Sequence, residues 1–145
     1  MQVCCSFLFS GVFERFPRTK LVLTEANIGW IPGMLEQTDE MFFHYRWFPG
    51  AAQKMHELPS ELFHRNVWAT FIVDSVGLEL RYHMKCSHVM RSTDYPHTPC
   101  DWPNSRLSVL HQFRGLPLEE VRGFVRGNAK QLYGLDIPES DPRGG

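Results

Sequence analysis

Apolar side chains at Val3, Phe7, Leu8, Val12 and Phe16 recur at close to helical spacing, so the chain is expected to open with a helix over residues 3–16. The segment FPRTK ends it, because proline lacks an N–H and pushes the residue before it out of the helical region. The apolar run in KLVLTE (20–25) predicts a short buried strand, and ANIGWIP is the loop that leaves it. A second helix is predicted over 31–48, starting near Pro32. A third covers 59–66, with Pro59 near its start, Ser60 as a cap and Glu61 favourable in the first turn. VWATFIVD (67–74), almost continuously apolar and rich in β-branched and aromatic residues, is the second strand. SVGLELRYHM (75–84) follows as a helix with Ser75 as its N-cap, and HVMRST (88–93) is the third strand. Helical patterns over 104–113, 117–127 and 128–135 complete the chain before the polar tail DIPESDPRGG, which reads as a frayed terminus.

Three short apolar strands separated by helical patterns indicate a parallel sheet covered by helices, an α/β architecture. Neither an internal repeat nor a low-complexity segment interrupts it.

Composition narrows the picture without changing it. With 145 residues, 43% of them hydrophobic and 21% charged, the chain is long enough for one domain with a real core. A formal net charge of −1 offers no basis for a nucleic-acid or anionic-membrane partner. Cys4, Cys5, Cys86 and Cys100 show no C-x-x-C spacing, so they are read as reduced thiols in a cytoplasmic protein. The opening MQVCCSFLFSGVF is apolar but lacks a basic start, and no stretch approaches the ~20 apolar residues of a membrane span.

In parallel α/β folds the ligand-binding chemistry gathers at the carboxyl ends of the strands. The polar groups there are Glu25, Asn27, Asp74, Asp94 and His97. Asp94 stands where a carboxylate can hold a divalent cation and accept a proton from bound water. The alternative is an Asp that caps the next helix or bonds loop N–H groups. For His97 the alternative is a loop histidine packed under Trp102. His83 and His88 flank the loop before the third strand, on the face opposite the strand ends, and are assigned structural or surface roles. Ser92 has no base beside it in the sequence, and no H-E-x-x-H, G-x-S-x-G, P-loop or G-x-G-x-x-G motif occurs. The aromatic run MFFHYRWF (41–48) is expected to pack against the sheet; the alternative is a lid or a subunit contact.

The segments FSGVFERFPRTKLVLTEANIGWIP, LPSELFHRNVWATF, VMRSTDYPHTPCDWPNS and GNAKQLYGL, in this order from residue 6 to about 136, resemble the C-terminal half of the amidohydrolase-related family of metal-dependent hydrolases. Aminocarboxymuconate semialdehyde decarboxylase is a relative of that family. The resemblance implies a partial (β/α)₈ TIM barrel over residues 1–136, with three C-terminal parallel βα units, terminal helices and a flexible tail at 137–145. The strands here would be the sixth, seventh and eighth. It implies one divalent metal, zinc foremost, held by an H-x-H pair on the first strand, a histidine from a middle strand and an aspartate on the last. Asp94 matches that aspartate, as a metal ligand and as the catalytic group handling the proton of the attacking water.

Glu25 falls where decarboxylating relatives carry a catalytic histidine, which puts that mechanism in doubt. His97, Trp102 and Asn104 match positions lining the pocket mouth, so with Glu25 they are the expected substrate-binding residues. No H-x-H occurs in the 145 residues, and the histidine ligands from earlier strands have no counterpart. The expected function is therefore a metal-dependent hydrolase acting on a small organic acid, ester, amide or lactone, inactive in this chain alone for want of ligands. The alternatives are a decarboxylase of the same superfamily and a non-catalytic half-barrel that associates with itself or with a missing N-terminal half. A small stand-alone binding domain using Glu25, Asp94 and His97 without metal is the weakest alternative. Open strand edges and uncovered apolar faces make self-association the physical expectation.

Overall fold

A computed structural model describes residues 1–48 and 55–136. The expected tail at 137–145 lies outside them, as do residues 49–54. The elements follow in the order α1 (Gln2–Phe9), α2 (Val12–Arg15), β1 (Leu21–Leu23), α3 (Ile31–Tyr45), α4 (Pro59–Asn66), β2 (Val67–Phe71), α5 (Ser75–Glu79), β3 (Val89–Arg91), α6 (Ser105–Gln112), α7 (Leu118–Arg122) and α8 (Asn128–Tyr133). Single 3₁₀ turns at Arg81–His83 and Cys86–His88 precede β3, and a π-helical turn at Gly123–Gly127 joins α7 to α8.

The sheet is parallel throughout, in the order β1-β2-β3. Leu21 pairs with Val67 and Leu23 with Ala69, then Ala69 with Val89 and Phe71 with Arg91. Every residue of β2 is buried, as expected of a central strand covered on both sides. Alternation splits its side chains between two faces. Val67, Ala69 and Phe71 join the core beneath the helices, where the Phe71 ring meets Phe113 and Phe124 edge-on at 6.1 and 6.3 Å. Trp68 and Thr70 face the other way, level with Val22 and Met90 of the neighbouring strands. This is a three-stranded parallel sheet covered by helices, as the apolar runs predicted, and it is compatible with the partial barrel that the resemblance implies.

Three helices depart from expectation, of which the one predicted over 75–84 stops at Glu79 and gives way to the 3₁₀ turn at Arg81–His83. The predicted helix over 3–16 is broken in two: Gly11 adopts φ 69°, a left-handed conformation open to glycine at no steric cost, and Ser10 Oγ donates to the Phe7 carbonyl at the break. The aromatic run at 41–48 does not pack into the core. Phe42 alone is buried; Met41, Phe43, Tyr45, Trp47 and Phe48 are exposed, with the Arg46 guanidinium 4.5 Å from the Trp47 ring centre. α3 buries Ile31, Met34, Leu35, Thr38 and Phe42, and that stripe leaves the other aromatics on the solvent side.

Caps also differ from expectation. α5 is capped by Asp74, not Ser75, which is its first residue. On α4, Ser60 lies inside the helix and donates its N–H to Asp39 (2.9 Å), while Glu61 accepts the Leu58 N–H at 3.1 Å. Asn66, fully buried at the end of α4, donates to the carbonyls of Pro17 and Thr19 and so fixes the entry to β1. Among the described residues no helix is long and apolar enough to cross a membrane, and all four cysteines are free thiols.

Candidate functional site

Glu25 and Asp94 leave their strands in the same unusual way. Both take positive φ, 56° and 55°, as does Asn27 at 54°. For residues with a Cβ this conformation costs on the order of 1 kcal/mol. It turns the chain sharply past the carboxyl ends of β1 and β3 and brings the two acids together. The Glu25 N–H donates to Thr70 Oγ1 at 2.9 Å, so the second face of β2 positions the first acid. Beyond β3, Asp94 donates its N–H to Ser92 Oγ (3.3 Å), and its carbonyl accepts the His97 N–H (2.9 Å). The loop is anchored further on by a buried ion pair between Arg91 and Asp101, and Asp101 also accepts the Ser105 hydroxyl at 2.7 Å.

Three donor atoms converge there. Oxygens of Glu25 and Asp94 and a nitrogen of His97 lie within 4.8 Å of one another. His97 Nδ1 is 3.0 Å from Asp94 Oδ1 and 3.8 Å from Glu25 Oε1. The Asp94 side chain is only 7% exposed, whereas Glu25 is 48% and His97 67% exposed. A hydrogen bond to Asp94, reinforced by its negative charge and by partial burial, raises the Glu25 pKa; His97 opposes the shift.

Sequence reasoning counted Asp94 as the lone ligand left from the family pattern; the fold sets Glu25 and His97 beside it. Two hard carboxylate oxygens and one imidazole nitrogen are a donor set that suits zinc or manganese, and a catalytic zinc site takes about three protein ligands with one position open. The set therefore fits a divalent ion.

Trp102 is exposed, with its ring 5.5 Å from Tyr95 rather than over His97. Asn104 occupies the N-cap position of α6 without a capping bond from its side chain. Asn27 is exposed in the loop after β1. Asp74 takes no part in the cluster: Oδ2 accepts the N–H groups of Ile28 and Gly29, each at 2.7 Å, and Oδ1 accepts that of Gly77 at 2.8 Å. That carboxylate staples the β1 loop, which carries Glu25, to the start of α5. Thr70, Asp74 and the Arg91–Asp101 pair are the supports that sequence reasoning missed. A lone hydroxyl inside VWATF was the visible signal for Thr70.

Known folds arrange strands in the same way. 5-Carboxyvanillate decarboxylase LigW from Sphingomonas paucimobilis is 29% identical, with a TM-score of 0.73 over 89% of this chain and 38% of that one. An amidohydrolase from Mycobacterium avium subsp. paratuberculosis is 23% identical, TM-score 0.74, over 89% of this chain and 32% of the other. A dihydroxybenzoic acid decarboxylase from Polaromonas, solved with manganese and the inhibitor 2-nitroresorcinol, is 16% identical, TM-score 0.73, over 93% and 40%. The chain thus spans less than half the length of the structures it matches. No curated protein sequence matches it. The profile of the amidohydrolase family covers residues 1–135. With its three parallel strands matching part of these barrels, the chain belongs to the amidohydrolase family, as a partial barrel.

Proposed function

We propose that this chain supplies the Asp94 corner of a divalent-metal centre whose reaction is the decarboxylation of a small organic acid. The observation that carries the reading is the Glu25–Asp94 contact. Losing CO₂ breaks a carbon–carbon bond and leaves an electron pair on carbon, which a proton must take up. The Glu25 carboxyl, whose pKa the neighbouring Asp94 raises, is the proton donor assigned to that step. Glu25 thus fills, with different chemistry, the place where decarboxylating relatives carry histidine. Asp94 orients the Glu25 carboxyl, and His97 steadies Asp94 through Nδ1. A divalent ion held by Asp94 and His97 would add a Lewis acid for the substrate carboxylate and leave Glu25 as the proton donor. The names of two neighbours, decarboxylases of hydroxylated aromatic acids, support that substrate class.

Hydrolysis of an ester, amide or lactone is the second reading. It is favoured by Asp94 alone, which as a nearly buried carboxylate can take a proton from water. On either reading this chain is expected to be inactive when assayed by itself, because the histidine donors that the family resemblance implies have no counterpart among its residues. Its four thiols suit a reducing, cytoplasmic setting.

The test is metal per chain on a size-resolved peak, followed by CO₂ release from 5-carboxyvanillate and 2,6-dihydroxybenzoate with a matching N-terminal half added. Near-stoichiometric metal lost in Asp94→Ala, with CO₂ release lost in Glu25→Gln, is expected. Ester or lactone turnover without CO₂ release would transfer the case to hydrolysis. Turnover by the isolated chain would overturn its inactivity.

A further inference from the structure

A cavity of about 640 Å³ opens at the amino end of the sheet, opposite the acid pair, and none of its chemistry is used by the site described above. Lys20 precedes β1, His64 closes α4, Lys85 and His88 precede β3, and Trp68 forms its apolar wall. The His88 ring lies flat on Trp68, with centres 4.0 Å apart and planes 13° apart, and Lys20 Nζ is 5.6 Å from the centre of the Trp68 ring.

The charge there is unbalanced. Among the described residues neither Lys20 nor Lys85 has a carboxylate partner, and Lys85 spends one of its three N–H groups on the His64 carbonyl (3.2 Å). Arg65, also in the wall, is neutralised by Glu57. Glu61 is the one acid in the lining, and its carboxylate is engaged with the Leu58 N–H. Both histidines register the excess positive charge: after burial, Lys85 is the next cause lowering each of them, and Lys20 adds to the effect on His88. His88 Nδ1 sits 3.1 Å from the Val67 carbonyl, which fixes the N–H on that nitrogen and leaves Nε2 as an acceptor that a P–OH group can meet. Trp68 is 1% exposed, and its indole N–H has no acceptor.

We infer that this cavity binds a small oxyanion, phosphate or a phosphoryl group, between Lys20 and Lys85 against the Trp68–His88 stack. Two ammonium groups on one wall supply charge-assisted donors of the kind that hold phosphate. An anion between them would offset like charges now held near one another. The site lies at the far end of the strands from Glu25 and Asp94, so it stands or falls independently of the proposed reaction.

The experiment titrates inorganic phosphate into ¹⁵N-histidine-labelled protein, with sodium chloride at matched ionic strength as the reference. Phosphate, and not chloride, is expected to shift the ring resonances of His88 and His64 saturably. Both lysines are exposed, so Lys20→Gln/Lys85→Gln should keep the fold, checked by its unfolding midpoint; it should weaken phosphate binding about tenfold or more. Arg114→Gln, an exposed cation elsewhere, should leave binding unchanged. Equal binding by the double variant would overturn the site. Equal shifts from phosphate and chloride, or shifts confined to His97 and His44, would overturn it too.

Discussion

Replacing Asp74 with alanine removes three hydrogen bonds at once, those from Ile28, Gly29 and Gly77. Bonds to a charged acceptor are worth ~1.5–3 kcal/mol each. These three share one half-buried carboxylate, so their values cannot simply be added. The Gly77 bond is an N-cap, worth ~1 kcal/mol. Ile28 is fully buried, so its orphaned N–H carries a full desolvation cost, while Gly29 is more open. The expected loss is therefore about 3–4 kcal/mol, a large share of the ~5–15 kcal/mol by which a domain is stable. Asp74→Asn keeps one acceptor oxygen and turns an NH₂ towards an N–H, so it should lose about 2 kcal/mol. Equilibrium urea unfolding followed by circular dichroism measures both, and an unchanged slope would show that the unfolded state is unaffected. Amide exchange at Ile28 and Gly29 should quicken in Asp74→Ala well before global unfolding. A loss under about 1 kcal/mol, with Ile28 still protected, would refute the claim that this carboxylate holds the β1 loop.

Further predictions rest on packing and titration. In Gly77→Ala a Cβ would come within 2.3 Å of Ile28 Cγ1 and 2.9 Å of Asp74 Cγ; overpacking of ~2–3 kcal/mol should outweigh the ~1 kcal/mol helix gain from alanine, measured by the same unfolding assay. His88 is lowered from 6.5 to about 4, by burial foremost and then by Lys85 and Lys20. Its folded pKa lies below the unfolded one, so its contribution is present above pH ~6.5 and lost as pH falls towards ~4, about 3 kcal/mol in all. Unfolding measured across that window should flatten in His88→Gln. Burial, then the neighbouring Cys5, pushes the Cys4 thiol up to about 12, so Cys4 should resist alkylation at neutral pH until the protein unfolds, as mass spectrometry of labelled peptides would show.

The strands were legible because a buried parallel strand must be apolar along its length, and nothing but VWATF and its two neighbours met that demand. Asp94 was legible through D-Y-P-H, a local motif. The break at Gly11 was not: the apolar spacing continues through it, and periodicity does not register a change of backbone sign. Asp74 was passed over in favour of Ser75 because both residues cap helices well, and only the fold shows which oxygen reaches Gly77. The run at 41–48 misled for a related reason. Hydrophobicity says that a residue would gain from burial, not that a partner surface exists. The convergence of Glu25 with Asp94 depends on two left-handed turns in loops far apart in sequence, and no window of the sequence contains both.

The pairing of Leu21 with Val67 has a consequence in time as well as in space. During synthesis, the edge of β1 that β2 will cover stays open until residues 67–71 follow. At about 5–20 residues per second, that wait is roughly two to nine seconds. For that interval its N–H and C=O groups are open to any other extended segment, including the same segment on a neighbouring nascent chain of a polysome. The order of translation thus gives this edge of β1 an interval in which a chaperone has something to cover.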